Sequence, residues 1–306
     1  MLKKIFSTLL VVLLFATLLA GCGDKDNPSD TNGQGNTQAE VAKVDLNKAS
    51  DDDNFTWLGD AITGLTDKGK SQSSFVIPER ATEIYGQVFE SHDKLKFVAF
   101  QNNAIKLGVA LFLDCSSLES VLLPEDLEMI PSQIFGNCTS LGQIDIPSKV
   151  KEIGHSSFHS ATNLSSITGG DSLEIVGISA FEDCTALSQF PFGNALKAVK
   201  SSAFSGCSSL ENVSFKDGLE SIGNNSFRGC SPISEIIIPE GVKEIGMGAF
   251  ADCNKLSLVE LPASLEEIGS NAFFNTIAKT FKVKEGSYAD EAYSKYSFES
   301  DEKVTY

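Results

Sequence analysis

One unit of sequence decides the fold: Ile-Ile-Ile-Pro-Glu-Gly-Val-Lys-Glu-Ile-Gly-Met-Gly-Ala-Phe-Ala-Asp-Cys-Asn-Lys-Leu-Ser-Leu, residues 236–258. Its phenylalanine, Phe250, belongs to a column that recurs every 23 residues without insertion or deletion. The column consists of Phe89, Phe112, Phe135, Phe158, Phe181, Phe204, Phe227, Phe250 and Phe273. A constant period of this length predicts a solenoid, in which one structural unit recurs along an axis.

The unit contains two extended segments and one turn. Apolar residues alternate through Leu256, Val259 and Leu261, which predicts a short strand with one buried side. Prolines such as Pro262 end this strand because proline cannot donate to a sheet ladder. The Val-x-x-Ile-Gly segment predicts a second short strand that turns at glycine, and the Ala-Phe pair predicts a helical or 3₁₀ turn. These glycines are Gly108, Gly154, Gly177, Gly223, Gly246 and Gly269.

Such a unit cannot bury its apolar face alone, so neighbouring units must stack. A leucine column runs parallel to the phenylalanines, with members Leu95, Leu118, Leu141, Leu164, Leu187, Leu210, Ile233 and Leu256. Spacing of about 4.8 Å per coil predicts a rod of roughly 40 to 45 Å. We interpret the column residues as core and assign none of them to a site.

Six cysteines each lie three residues after a column phenylalanine: Cys115, Cys138, Cys184, Cys207, Cys230 and Cys253. Their spacing is unlike that of zinc ligands. Adjacent coils could bring two of them within disulfide reach. Ala161 fills the same place in one coil, however, and free cysteine is a commonly buried small residue. We favour free core thiols, with one or two disulfides as the alternative.

The chain begins with features of export. Lys3 and Lys4 precede an apolar run, as in a secretory signal peptide. Residues 19–22, Leu-Ala-Gly-Cys, resemble the lipobox of bacterial lipoproteins, which implies lipidation at Cys22 and attachment to a membrane. The polar residues that follow predict a disordered tether. Early aspartates loosely resemble signals that direct lipoproteins to the outer face of the cell, consistent with an outer-membrane location.

The chain carries a formal charge of −17, and no lysine or arginine cluster stands out. Nucleic acid and anionic lipid surfaces are therefore poor partners, because both require a basic footprint. The acidity fits a soluble, self-repelling exterior, and we expect a monomer.

The pattern Leu-x-x-Ile-x-Ile-Pro-x-x-Val-x-x-Ile-Gly-x-x-Ala-Phe-x-x-Cys resembles the leucine-rich repeats of BspA-like bacterial surface proteins. The resemblance covers about residues 75–283 and implies a right-handed leucine-rich repeat solenoid displaying a parallel sheet. It also implies an extracellular protein that adheres to host or neighbouring-cell components. The pattern is interrupted at Gly169 and Gly170, which should loosen the sheet, and at Pro191 inside the next strand.

These features divide the chain into five parts: a signal peptide (1–21), a lipidated tether (22–53), an N-terminal cap with a partial repeat (54–78), the solenoid (79–283) and a C-terminal cap (284–306). The C-terminal cap is predicted to hold a short helix at 286–293 and a final strand at 303–306. Beyond Phe273 the register slips by one residue, to Phe281 and Val283.

Outward positions of the first strands form the candidate binding surface for an extracellular protein or glycan. The selected residues are Phe97, Leu122, Gln143, Asp145, Gln189, Asn212, Glu235, Ile237, Leu258 and Glu260. Two pairs, Phe97 with Leu122 and Ile237 with Leu258, are interpreted as apolar anchor patches.

No signature of catalysis or cofactor binding is present, and the sequence predicts no enzyme, cofactor or catalytic residue. His155 and His159 flank a column phenylalanine, so a weak metal site is conceivable, but solvated turn histidines are favoured. Two hypotheses follow: a surface-anchored binding protein, or a structural envelope lipoprotein that acts as a scaffold without a soluble ligand.

Overall fold

A computed structural model describes residues 44–278, 280–292 and 302–305. These residues form a parallel β-solenoid of about ten turns with little helix, as the repeat predicted. The predicted signal peptide, Cys22 and most of the predicted tether lie outside the described residues. Within the described part, no helix has the length and apolarity needed to cross a bilayer.

Each coil contributes short strands on two sides. In chain order the strands are β1 (Phe55–Leu58), β2 (Ala61–Leu65), β3 (Ser74–Ile77), β4 (Glu83–Ile84), β5 (Phe97–Phe100), β6 (Lys106–Leu107), β7 (Ser120–Leu122), β8 (Met129–Ile130), β9 (Gln143–Ile146), β10 (Glu152–Ile153), β11 (Ser166–Gly169), β12 (Ile175–Val176), β13 (Ala198–Val199), β14 (Ser221–Ile222), β15 (Glu235–Ile237), β16 (Glu244–Ile245), β17 (Leu258–Glu260), β18 (Glu267–Ile268), β19 (Thr280–Val283) and β20 (Glu302–Thr305). A 3₁₀ helix (Asp52–Asn54) and the short helices α1 (Asp67–Lys70) and α2 (Tyr288–Ala292) lie outside the repeats.

The longer strands form what we call the strand face, in three parallel sheets: β3-β5-β7, β9-β11 and β15-β17-β19-β20. The two-residue strands form the second side, where one parallel sheet runs without interruption from β8 to β18. That sheet is separated from β6 at Pro131. In other coils the residue at this place donates its N–H to the previous coil, as Gly154 does to Ile130 at 2.9 Å. Proline has no N–H, so the ladder stops there.

The phenylalanine column runs through the core. Successive rings from Phe89 to Phe273 are stacked with centroids 5.0 to 5.5 Å apart and planes within 26°. The backbone repeats the same link, since the N–H of Phe158 donates to the carbonyl of Ala180 in the next coil at 2.8 Å. Stacking and hydrogen bonding therefore impose one common spacing.

The turn around each phenylalanine differs from the predicted helical or 3₁₀ turn. Short-range bonds of the 3₁₀ type are present, such as Cys115 N–H to the Phe112 carbonyl at 3.1 Å. Ala110 and Asp114, however, adopt left-handed φ values of 56° and 61°. Alternating conformations direct the N–H groups of Ala110, Phe112 and Asp114 along the axis, where each donates to the next coil. The segment is thus a third ladder between coils, and the predicted turn formers supply its left-handed positions.

Both caps follow the sequence-based prediction. At the N-terminal end β1 and β2 form an antiparallel hairpin, and the Arg80 guanidinium lies 3.5 Å from the centre of the Trp57 ring. At the other end Val259 pairs with Phe281, which confirms the one-residue slip. Helix α2 and strand β20 close this end, where β20 pairs with β19.

The glycine that follows the second strand is required by close approach between coils. A Cβ on Gly246 would lie 2.4 Å from the backbone nitrogen of Asn224, closer than real Cβ contacts allow. We expect Gly246→Ala to lower the free energy of unfolding by about 1–3 kcal/mol, because backbone must shift to relieve the overlap. Urea unfolding at an unchanged m-value measures this.

Gly142→Ala is the matched control, since a Cβ there meets nothing within 4 Å. Equal midpoints for the two variants would contradict the close-approach argument.

Candidate binding surface

The outward positions of the strand face provide most of the candidate residues. Gln143, Asp145, Gln189, Asn212, Glu235 and Ile237 are exposed, whereas Leu122, Leu258 and Glu260 are partly buried. Some polar members already have partners in the next coil: the Thr168 hydroxyl donates to Asp145 at 2.6 Å, and Lys282 lies 3.6 Å from Glu260. The face is therefore a mixed polar surface with local apolar points.

Phe97 is a correction to the sequence-based prediction. It occupies an outward position, yet only 2% of it is exposed, and its outward neighbour Ala99 is equally buried. The segment 46–50 runs beside these strands. Ser50 donates its N–H to the Val76 carbonyl at 2.8 Å, and the Gln101 side chain donates to the Leu46 carbonyl at 3.3 Å. Phe97 and Leu122 therefore do not form an open anchor patch.

The second predicted patch, near the C-terminal end, is accessible. Half of Ile237 is exposed, which is unusual for a large apolar residue in this solenoid. Leu258 pairs with Glu235, and Ile237 pairs with Glu260, so the two apolar residues are diagonal neighbours on adjacent strands. Diagonal neighbours of this kind lie about 7–8 Å apart, within contact range of long side chains. Two carboxylates flank this apolar point.

The strand face is interrupted in the middle, where the sequence predicted loosening. β11 still pairs with β9 through Gly169, which has a left-handed φ of 74°. The next two coils contribute no strand, only an isolated bridge between Gln189 and Asn212. Pro191 stands where neighbouring coils supply an N–H, so it cannot bond back to β11.

Inward residues at the interruption are larger than elsewhere. Phe190, Phe192 and Phe215 replace the aliphatic side chains of other coils and contact column rings edge-on or tilted, with Phe190 4.9 Å from Phe204. Over this region lies a cleft of about 400 Å³. Sequence reasoning identified the irregular residues but not the concavity that they create.

The six repeat cysteines are free and buried, as the sequence favoured. Each Sγ lies near a backbone carbonyl of the preceding coil, as Cys138 does to Phe112 O at 3.1 Å. Burial raises the pKa of all six thiols, to about 12 for Cys115 and Cys253. Because the unfolded thiols ionise near their ordinary pKa, their contribution to stability is lost as the pH rises above about 9.

The three histidines occupy separate environments. His92 is buried against Phe75 in the first coil, and desolvation lowers its pKa. His155 Nδ1 lies 3.0 Å from the Ile178 carbonyl, and His159 Nδ1 lies 3.7 Å from Glu182. Among the described residues, no three histidine, cysteine or carboxylate side chains are grouped as metal ligands.

Stacked coils, a parallel strand face and a repeated leucine column define a leucine-rich repeat protein. The family described as "BspA type Leucine rich repeat region" matches residues 67–188 and 174–304 in six copies, and the chain belongs to this family. Members of this family are bacterial surface proteins with general roles in protein interaction or adhesion. A search among curated proteins finds no significant match.

Solved structures show the same fold. A leucine rich cell surface protein from Faecalibacterium prausnitzii is 18% identical, with 84% of this chain and 94% of that chain covered and a TM-score of 0.54. A leucine-rich repeat protein from Bacteroides ovatus is 22% identical over 80% of this chain and 87% of its own, with a TM-score of 0.41. The leucine-rich repeat protein of T. pallidum is 19% identical over 85% and 100%, with a TM-score of 0.39.

Buried thiols with raised pKa values react slowly, because the thiolate is the nucleophile. At pH 8 we expect iodoacetamide to leave the six repeat cysteines unmodified in the native protein and to modify all of them in urea. Peptide mass mapping locates each adduct. Ser148→Cys, at an exposed position, should react in both states, and native labelling of the repeat cysteines at a similar rate would contradict their assignment to the core.

Proposed function

We propose that this protein is a cell-surface, lipid-anchored binding protein that mediates adhesion to proteins or glycans of a host or a neighbouring cell through its strand face. The family supports a surface role in interaction. The F. prausnitzii protein of the same fold is described as a cell surface protein.

One observation carries the proposal: the inward columns are constant from coil to coil, whereas the outward positions change their chemistry. At a single outward column the residues are Ser120, Gln143, Ser166, Gln189, Asn212, Glu235 and Leu258. Since each coil is held by contacts to its neighbours alone, outward residues are free to vary without affecting the scaffold. A rigid surface with a varied set of side chains is suited to recognition.

The accessible apolar pair is the favoured anchor for a protein partner. Ile237 and Leu258 would bury apolar area, while Glu235 and Glu260 form a polar rim around them. The acidic rim favours a partner with basic residues at the edge of its own contact patch.

Replacing both anchors tests this assignment. We expect Ile237→Asp with Leu258→Asp to weaken binding to an extract of host-matrix proteins by about tenfold or more, because charge replaces the desolvated centre of the contact. Gln143→Asp changes an exposed position of the same outward column and serves as the control. Biolayer interferometry with the immobilised extract gives both affinities, and equal values would remove this patch from the interface.

The anchor is tested separately at Cys22. We expect Cys22→Ser to abolish acylation and to release the protein into the culture medium, because the lipobox cysteine is the acylated residue in the lipoproteins it resembles. Metabolic labelling with an alkyne fatty acid measures acylation. On intact cells the parent protein should be cleaved by added protease, whereas full protection would favour the alternative of a structural envelope lipoprotein.

A further inference from the structure

The interruption of the strand face creates a concave point on this surface. The cleft measures about 400 Å³, and its walls come from β11 and from the two coils without strands. Sites for small ligands usually measure about 300–1,000 Å³. The cleft therefore has the size for one or two sugar rings, or for a few residues of a peptide.

The coils at the cleft are not spread apart. On the second side, β12, β13 and β14 remain paired, and the rings of Phe181 and Phe204 stay 5.3 Å apart. An added peptide strand needs about 4.8 Å to each neighbour. Because no such gap opens, a ligand cannot enter as an extra strand, and side chains must recognise it from above.

The side chains around the cleft are neutral amides, a hydroxyl and one charge of each sign. Gln189 and Asn212 are paired in register and exposed, and within the described residues neither amide side chain has a hydrogen-bond partner. The Lys216 ammonium donates to the Ser214 hydroxyl at 3.1 Å, and Asp171 lines the opposite side. The cleft therefore carries no net charge, although the whole chain is strongly acidic.

This combination matches the chemistry of a sugar. Each amide both donates and accepts hydrogen bonds, as does each sugar hydroxyl. Pro191 and the edges of Phe190 and Phe192 offer a small apolar floor for the C–H face of a ring. We propose that this cleft binds a neutral sugar unit of a glycan, an inference that rests on the binding function proposed above and names one ligand class for it.

Saturation-transfer NMR on the detergent-solubilised full chain tests the proposal, with lactose, cellobiose and N,N′-diacetylchitobiose as sugar probes and trialanine as the peptide probe. We expect at least one disaccharide to bind, and Gln189→Ala with Asn212→Ala to weaken that binding by about tenfold, as expected for lost hydrogen bonds. Gln143→Ala is the matched control, because Gln143 occupies the same outward column two coils earlier, where β9 and β11 are paired.

Three outcomes would overturn the sugar site: no disaccharide signal at millimolar concentration, sugar binding that the double variant leaves unchanged, or saturation of trialanine alone. Retained binding to matrix extract together with any of these outcomes would reject the cleft and leave the proposed adhesive function standing. Sugar binding without matrix binding would support the cleft and reject the protein anchor at Ile237.

Discussion

The structure depends on a match between two distances. Backbone hydrogen bonds between coils set a rise of about 4.8 Å, the separation of neighbouring strands. Offset aromatic rings stack with centroids about 4.5–7 Å apart. The column rings lie 5.0 to 5.5 Å apart, so the coil spacing that satisfies the backbone also places one phenylalanine on the next. The pattern of buried residues must therefore repeat in each coil, because each coil is both floor and roof to a neighbour.

The sequence was sufficient wherever this repeat holds. A period of 23 residues identified the phenylalanine, leucine and cysteine columns, and the slipped register of Phe281 was visible because the column before it was so regular. The caps could be placed for the same reason: they begin where the pattern ends. Local apolar alternation and repeat length carry this information without knowledge of distant contacts.

The failures lie where a feature depends on residues outside the repeat. Phe97 occupies an outward position by periodicity, but the segment 46–50 covers it, and that segment has no period of its own. Leu46 and Ala49 within a polar stretch were the only signal. The turn around Phe112 also exceeded pattern reasoning, because alternating handedness is set by bonds to the next coil. At the cleft, Pro191 revealed the lost ladder bond, whereas the cavity depends on how three extra phenylalanines fill the interior.

The interruption is tolerated because the coils are held by several independent links. Across the two coils without strands on the strand face, the uninterrupted sheet of the second side and the stacked rings continue without a break. One face can therefore be altered for recognition while the others maintain the spacing. This separation of support from display is a general property of repeat architectures.

The ladders between coils also determine how the protein responds to mechanical load. Their hydrogen bonds point along the solenoid axis, as the N–H of Phe158 points to Ala180. Tension applied along the axis pulls directly on these bonds, and every junction between coils bears the full force because the junctions are in series. The weakest junction then opens first and extends the chain by one coil at a time. A tether that pulled in this direction would yield gradually instead of breaking at once.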